Sequence, residues 1–180
     1  MKSSRGQVFS GEFVMSYIIL LIVLSLILYL WNTTTREIIQ SDKQDRLNEA
    51  AIDAAEQLVR TPGSPRYWNH SDVTSVGLVN ESRHIMSGKA LEFVYMMDAG
   101  NSTLCSDGDS NYDCNKYLLG LGNYEFYFNI TYFNRTTVVI NNTGLYAGMT
   151  PDEDERKVTI LRNALIDEDI VSVYLTVWES

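Results

Sequence analysis

The clearest feature of the hydrophobic pattern is an uncharged stretch near the amino end. Residues 13–31 form 19 consecutive positions without a charged side chain, and Ser16 and Ser25 are their only clearly polar members. An α-helix rises about 1.5 Å per residue, so this stretch is long enough to cross the hydrocarbon core of a bilayer, which is roughly 30 Å thick. The pattern therefore predicts a membrane-spanning helix over residues 13–31.

The helical pattern continues beyond the uncharged stretch. Apolar residues recur at intervals of four, three and four positions, at Leu47, Ala51, Ala54 and Leu58. This spacing is typical of one face of an α-helix, which we expect to pack against its own domain, against another subunit, or against both. No glycine or proline interrupts residues 12–61, and two prolines and a glycine follow in 62–65. The sequence predicts one helix over about 11–60, loosened at the three β-branched threonines 33–35.

The remaining residues carry the signals of a β-sheet. Predicted strands cover 73–79, 124–133, 136–140, 156–165 and 170–178, and predicted short helices cover 88–97 and 112–119. We expect 136–140 to pair with 124–133 as a hairpin. In the last strand one face carries Val171, Val173, Leu175 and Val177. The expected fold is α+β, with the long amino-terminal helix packed on a small antiparallel sheet of four or five strands.

Composition and charge exclude several classes of protein. The 180 residues carry a net charge of −9, which argues against nucleic-acid binding because phosphates require a basic surface. Two histidines and two cysteines are too few for a zinc site of the Cys/His-rich type. The aromatic content of 11% argues against a largely disordered chain. Without the uncharged stretch, about 150 residues remain, enough for one modest core.

The flanks of the uncharged stretch predict its orientation. Residues 1–6 are basic through Lys2 and Arg5 and contain no acid, which favours a cytoplasmic amino end and export of the remainder. No small-x-small cleavage site follows residue 30, so we expect the helix to stay attached. Glu12 lies just before the stretch. It either stays hydrated among the lipid headgroups or pairs with a positive group, such as the amino terminus of a neighbouring subunit.

The exported part is rich in glycosylation motifs. Asn-x-Ser/Thr occurs seven times, where the composition gives roughly two by chance. The site at Asn32 adjoins the membrane, and the candidates for N-linked glycans are Asn69, Asn80, Asn101, Asn129, Asn134 and Asn141. The face on which Asn129 lies decides whether it can be modified. All seven sites follow the uncharged stretch, which agrees with export of this part of the chain.

The only two cysteines, Cys105 and Cys114, lie in the exported part, and we expect them to form a disulfide. They bracket a loop in which oxygen-bearing side chains alternate over 107–113. That spacing resembles a Ca²⁺ loop, but an EF-hand requires glycine where Tyr112 stands and glutamate where Leu118 stands. We therefore expect a solvated acidic turn, with no metal and no cofactor. No nucleophile elbow, phosphate loop or zinc-protease motif occurs, so we do not expect an enzyme.

The amino-terminal residues resemble a known family. Arg5-Gly6-Gln7, followed by Phe9-Ser10-Gly11-Glu12-Phe13 and a long apolar helix, is similar to the class III signal peptide of archaeal type IV pilin-like proteins. The resemblance implies that a prepilin peptidase cuts between Gly6 and Gln7, or after Gln7. The alternative arises because Ser10 and Glu12 lie one residue further from Gln7 than in the common pattern. It also implies a leader over 1–6, a helix over 7–60, a globular β-rich head over 61–180, and a role for Glu12 in assembly.

The function implied by this resemblance is structural. The chain would be a subunit of an archaeal type IV pilus-like surface filament, held in the bilayer by one helix with its amino end inside before assembly. Its partners would be copies of itself, the prepilin peptidase, the assembly machinery and lipid. The alternative is a single-pass, pilin-like surface protein that does not polymerise. Such a protein would be a minor component, or an adhesive or ligand-binding module that uses the aromatic sheet or the loop between the cysteines.

Overall fold

A computed structural model describes residues 11–105, 108–153 and 155–179. The chain divides into two compact units, with the boundary after Gln44. Helix α1 covers Gly11–Arg60, which confirms the predicted single helix. α1 is continuous through residues 33–35, so the expected loosening does not occur. The hydroxyl groups of Thr33 and Thr35 donate hydrogen bonds to the carbonyl oxygens of Tyr29 and Trp31 at 3.0 and 2.8 Å.

The described residues of the second unit, which begins at Asp45, contain the end of α1, two sheets and three short helical segments. The helical segments are α2 (Ser87–Met96), α3 (Asn111–Asn115) and a 3₁₀ turn (Lys116–Leu119). The strands are β1 (Val79–Glu81), β2 (His84–Ile85), β3 (Tyr124–Tyr132), β4 (Val139–Ile140), β5 (Thr143–Gly144), β6 (Tyr146–Gly148), β7 (Lys157–Ile166) and β8 (Asp169–Glu179). This is the α+β class that the sequence predicts.

Six strands form the main sheet in the order β1-β2-β7-β8-β3-β6. Its centre is the antiparallel pairing of β8 with β7 on one side and with β3 on the other. The expectation of a purely antiparallel sheet is wrong at one place, because β2 pairs with the end of β7 in parallel. A two-residue turn with positive φ at Asp167 and Glu168 joins β7 to β8, as this position in a tight hairpin requires.

Two predicted strands differ from the structure. Within 73–79 only Val79 belongs to a strand, and Gly77 passes so close to the end of α1 that an added Cβ would lie 2.2 Å from the Thr61 carbonyl oxygen. The segment is also joined to Ser64 by a single antiparallel bridge at Ser75. Residues 136–140 do not form an extended hairpin with β3, since Val139–Ile140 pairs with Thr143–Gly144 and a single bridge joins Thr137 to Thr131.

The core lies between one face of the sheet and the carboxy-terminal part of α1. The face of β8 predicted to be apolar is buried, at Val171, Val173, Leu175 and Val177. The buried residues of α1 are Leu47, Ala51, Ala54, Ala55, Leu58 and Val59. Three of these six are alanines, which allow close approach. The Ala-rich face therefore packs in its own domain. The guanidinium Nε of Arg162 on β7 adds a hydrogen bond of 2.7 Å to Glu56 of α1.

A polar contact fixes the chain where it leaves α1. The indole N–H of Trp68 donates to the carbonyl oxygens of Pro62 and Gly77, at 3.1 and 2.9 Å. The buried Lys89 ammonium group donates to the same Pro62 oxygen and to that of Val79. Burial, and secondarily the charge of Arg66, lowers the pKa of Lys89. The Pro-Gly segment thus joins α1 to α2 and the sheet as a rigid connection.

Candidate functional site

The uncharged stretch, residues 13–31, is the longest segment for which the sequence predicts a function, that of spanning a membrane. Every residue of 13–31 other than the two serines is a large apolar or aromatic side chain, each between 43% and 74% exposed. An 18-residue window of α1 has a mean hydropathy of 2.8, and none of it is buried. A core helix would instead be largely covered by its own protein. The chain therefore has a helix near its amino end that is long and apolar enough to span a membrane.

The charges and aromatic rings sit at the ends of this stretch. Glu12 is exposed in the first turn of α1, where the positive end of the helix dipole also favours a carboxylate. Tyr29 and Trp31 are exposed at the other end, before the first following charge at Arg36. Aromatic rings at such a boundary suit the interface between lipid and water. The processing residues predicted from the sequence, Gly6 and Gln7, lie outside the described residues.

The predicted disulfide between Cys105 and Cys114 is confirmed. The loop that it closes is tied to α2 by Asn111, which is fully buried. Its amide oxygen accepts from the Leu104 N–H at 2.9 Å, and its amide nitrogen donates to the Tyr95 carbonyl oxygen at 3.1 Å. The sequence alone suggested Asn111 only as a possible Ca²⁺ ligand. Its side chain is instead a buried structural connection.

The acidic side chains of the described part of the chain show no metal-binding arrangement. No group of three or more His, Cys, Asp or Glu residues within 11–105, 108–153 and 155–179 is placed to hold an ion. In the cysteine loop, Asp113 accepts a hydrogen bond from the Ser110 hydroxyl group at 2.7 Å. His70 pairs at the surface with Glu92 at 2.8 Å, and His84 is exposed on β2.

The glycosylation motifs fall on different kinds of structure. In three turns, the asparagine Oδ1 accepts from the backbone N–H two residues further on, at Asn69, Asn101 and Asn134. Asn141 is exposed in a turn with a φ of 50°. Asn80 is on β1 and accepts from Arg66, Asn32 is exposed on α1, and Asn129 is on β3. Six of the seven therefore lie outside the long central strands, and Asn129 lies within one.

Comparison with known proteins leaves this site to be interpreted from its own geometry. No protein-family model, no curated protein sequence and no solved structure matches the chain. The combination of an exposed apolar helix with a β-sheet head is compatible with a pilin-like fold. None of the apolar stretch is buried. This exposure argues against the interpretation of residues 13–31 as the core helix of a soluble domain.

Proposed function

We propose that this chain is a structural subunit of an archaeal type IV pilus-like surface filament that assembles through its apolar amino-terminal helix. The observation that carries the proposal is the exposure of the whole apolar surface of residues 13–31 on a helix whose later turns belong to the folded head. Each large apolar side chain left in water costs about 1.5–3 kcal/mol. The stretch therefore requires either lipid or other helices around it.

Assembly would exchange one apolar environment for another. Before assembly the helix lies in the bilayer with its amino end inside, and the head is exported. In the filament, the same apolar surface packs against equivalent helices of neighbouring subunits, with the heads outside. The chain has no charge between Phe13 and Thr35, so such a helix bundle could form without burying an ion there. Glu12 is the exception, at the edge of this uncharged region.

In the proposed bundle, the Glu12 carboxylate pairs with the amino terminus of a neighbouring subunit, which the peptidase has freed by removing residues 1–6. A buried carboxylate without a partner is strongly unfavourable, so this pairing sets the axial position at which subunits join. The positive end of the helix dipole adds a local stabilisation of typically 0.3–1 kcal/mol. Glu12 would thereby act as a registration residue between copies of the chain.

The first test is the amino-terminal peptide of the native protein, measured by mass spectrometry in separated filament and membrane fractions. An abundant peptide that begins at Gln7 or Val8 in the filament fraction is the expected result. A processed peptide restricted to membranes would favour the second candidate, a pilin-like membrane-anchored surface protein that does not polymerise. An intact Met1 terminus found in membranes alone would contradict both processing and assembly.

The role of Glu12 is tested by Glu12→Gln. We expect this variant to enter the membrane normally but to yield few or no filaments, because glutamine cannot pair with an amino terminus as a charge. Glu37→Gln is the matched control, since it removes a carboxylate from an exposed position of the same helix beyond the apolar stretch. Filaments are counted by electron microscopy and membrane insertion by resistance to alkaline extraction. Normal filament numbers from Glu12→Gln would eliminate the registration role.

A further inference from the structure

The side of the main sheet opposite the core carries two exposed large side chains among neighbours that are half-buried or, at Thr131, buried. On this side Leu161 of β7 is 47% exposed and Tyr146 of β6 is 54% exposed. We call this surface the outer face, and its central residues are Tyr127, Asn129, Thr131, Tyr146, Leu161 and Tyr174. A sheet face that carries three tyrosines and a leucine has a substantial apolar area and gains from being covered.

Asn129 lies at the centre of the outer face. In the antiparallel register it is directly opposite Tyr146 on β6 and directly opposite Tyr174 on β8. Residues opposite each other in such pairs project from the same face, with Cβ atoms about 4.5–5.5 Å apart. Gly148 on β6 lies opposite Tyr127 and adds no side chain beside the Tyr127 ring. A tyrosine therefore stands on each side of the Asn129 carboxamide.

The glycosylation motif Asn129-Ile130-Thr131 is complete on this surface. Residues two apart on a strand project from the same face, so the Asn129 carboxamide and the Thr131 hydroxyl group lie side by side. Asn129 Oδ1 and Thr131 Oγ1 are both shielded from solvent, and neither has a hydrogen-bond partner in the described part of the chain. Shielded polar atoms without a partner are uncommon in folded proteins.

We propose that Asn129 carries an N-linked oligosaccharide whose first sugars lie over Tyr146 and Tyr174 and cover the outer face. A pyranose ring has apolar C–H faces that stack on aromatic rings, and hydroxyl groups that donate to acceptors. The other sites in exposed turns, such as Asn134 and Asn141, would project their glycans into solvent.

The modification requires a lipid-phosphate-activated oligosaccharide as glycosyl donor. Asn129 Nδ2 forms a bond to the anomeric carbon of the first sugar. The bond between that carbon and the donor's phosphate oxygen breaks, the phosphate leaves with the electron pair, and a base takes one amide proton. No oxidant or reductant is needed. The inference rests on the exported orientation of the proposed function, because the donor and the acceptor must meet on the outside of the membrane.

Occupancy is tested on the native full-length protein by glycopeptide mass spectrometry after chymotryptic cleavage, which separates Asn129 from Asn134 by cutting after Tyr132 or Phe133. The matched variants are Thr131→Val, which removes the motif with a side chain of nearly equal shape, and Thr131→Ser, which retains it. We expect a glycan on Asn129 in the wild type and in Thr131→Ser, and complete loss of it in Thr131→Val. Neither variant changes Asn129 itself.

Coverage is tested by nitration of tyrosines in the same samples. We expect Tyr146 to react severalfold more slowly in the wild type than in Thr131→Val. Tyr117 is the internal control, because it lies in the 3₁₀ turn and not in the sheet, and it is 63% exposed. Its rate should be the same in both proteins. This comparison separates a glycan that covers the sheet from one that only extends away from it.

Several results would overturn the inference. A bare Asn129 beside a modified Asn134 would refute it while leaving the exported orientation intact. If all the sites are bare and the Met1 terminus is intact, the exported orientation fails and the inference fails with it. A modified Asn129 with equal Tyr146 rates in the wild type and Thr131→Val would refute coverage by the glycan. If those equal rates are both slow, the cover is instead a neighbouring molecule.

Discussion

At the scale of single residues, the hydroxyl group of Tyr112 connects α3 to the main sheet. It donates to Glu125 Oε2 at 2.6 Å and accepts from the Phe126 N–H at 2.9 Å. The other carboxylate oxygen of Glu125 binds the Lys116 ammonium group at 2.6 Å. The Tyr112 ring is buried against that of Phe126, with centroids 5.1 Å apart. The buried hydroxyl group of Tyr112 thus donates one hydrogen bond and accepts another.

Replacing Tyr112 by phenylalanine removes this hydroxyl group and leaves the ring in place. We expect Tyr112→Phe to lower the free energy of unfolding by about 1–3 kcal/mol, because the Phe126 N–H loses its partner inside the protein. Urea unfolding of the full chain in detergent measures the change. Tyr117→Phe is the control, since its ring is exposed and it should change stability by less than about 0.5 kcal/mol. Equal effects of the two substitutions would contradict this role of Tyr112.

The same residue makes stability depend on alkaline pH. Burial first, and the hydrogen bond to Glu125 second, raise the pKa of Tyr112 above the ordinary value of 10.0. The folded state then keeps a proton that the unfolded state releases, so rising pH favours the unfolded chain. The stability difference between wild type and Tyr112→Phe should be constant below about pH 9 and shrink above about pH 10. Urea titrations of both proteins across that range measure it, and an unchanged difference would contradict the expectation.

At the scale of elements, the loop closed by Cys105 and Cys114 is a small unit attached to α2. Ser110 caps α3 by accepting from the Asp113 N–H, and Asn115 donates to the Met96 carbonyl oxygen at 3.2 Å. The cysteines are nine positions apart. In the chain-entropy account, so short a loop contributes at most about 3 kcal/mol to stability. Its effect is therefore expected to remain near the loop.

We expect the double variant Cys105→Ser, Cys114→Ser to fold and to loosen locally. Amide hydrogen exchange should become faster at Leu104 and in α3, because local opening no longer has to strain a closed loop. Exchange in β7 and β8, which form the centre of the sheet, should stay close to that of the wild type. Mass spectrometry of exchanged peptides measures both regions. Equal acceleration in the loop and in β8 would indicate that the disulfide supports the whole domain.

Whether an element can be predicted from the sequence depends on whether local residues or distant ones stabilise it. The face of β8 follows from alternation, and α1 follows from unbroken helical spacing, since both patterns are local. The sequence predicts a strand over residues 73–79, of which only Val79 belongs to one. Their conformation is decided by contacts with Thr61 and Gln57, whose side-chain amide donates to the Val76 carbonyl oxygen at 2.8 Å. Such contacts over long sequence separations are not visible in a local pattern.

At the scale of the whole molecule, the apolar core and the exposed apolar stretch occupy different parts of the chain. Every buried apolar residue of the described chain lies at or beyond Leu47. The second unit begins at Asp45. Residues 13–31 therefore contribute nothing to the core of the head.

Removing residues 1–31 should therefore release a soluble, folded head. We expect this shortened chain to stay monomeric without detergent and to keep the urea midpoint of the full chain, because its core is complete. Size-exclusion chromatography and urea unfolding measure both properties. A second deletion, of residues 1–60, is the control. It removes the six buried side chains of α1 and should not fold. Aggregation or unfolding of the longer fragment would contradict the separation of core and anchor.

The features that depend on local pattern could be read from the amino-acid sequence. These are the apolar helix, the α+β class, the buried face of β8 and the disulfide, which follows from the two cysteines lying close together in the sequence. Three features come from the folded arrangement alone: the parallel contact of β2 with β7, the buried role of Asn111 and the position of Asn129 between Tyr146 and Tyr174. These depend on strand order and register, which bring together residues far apart in the chain.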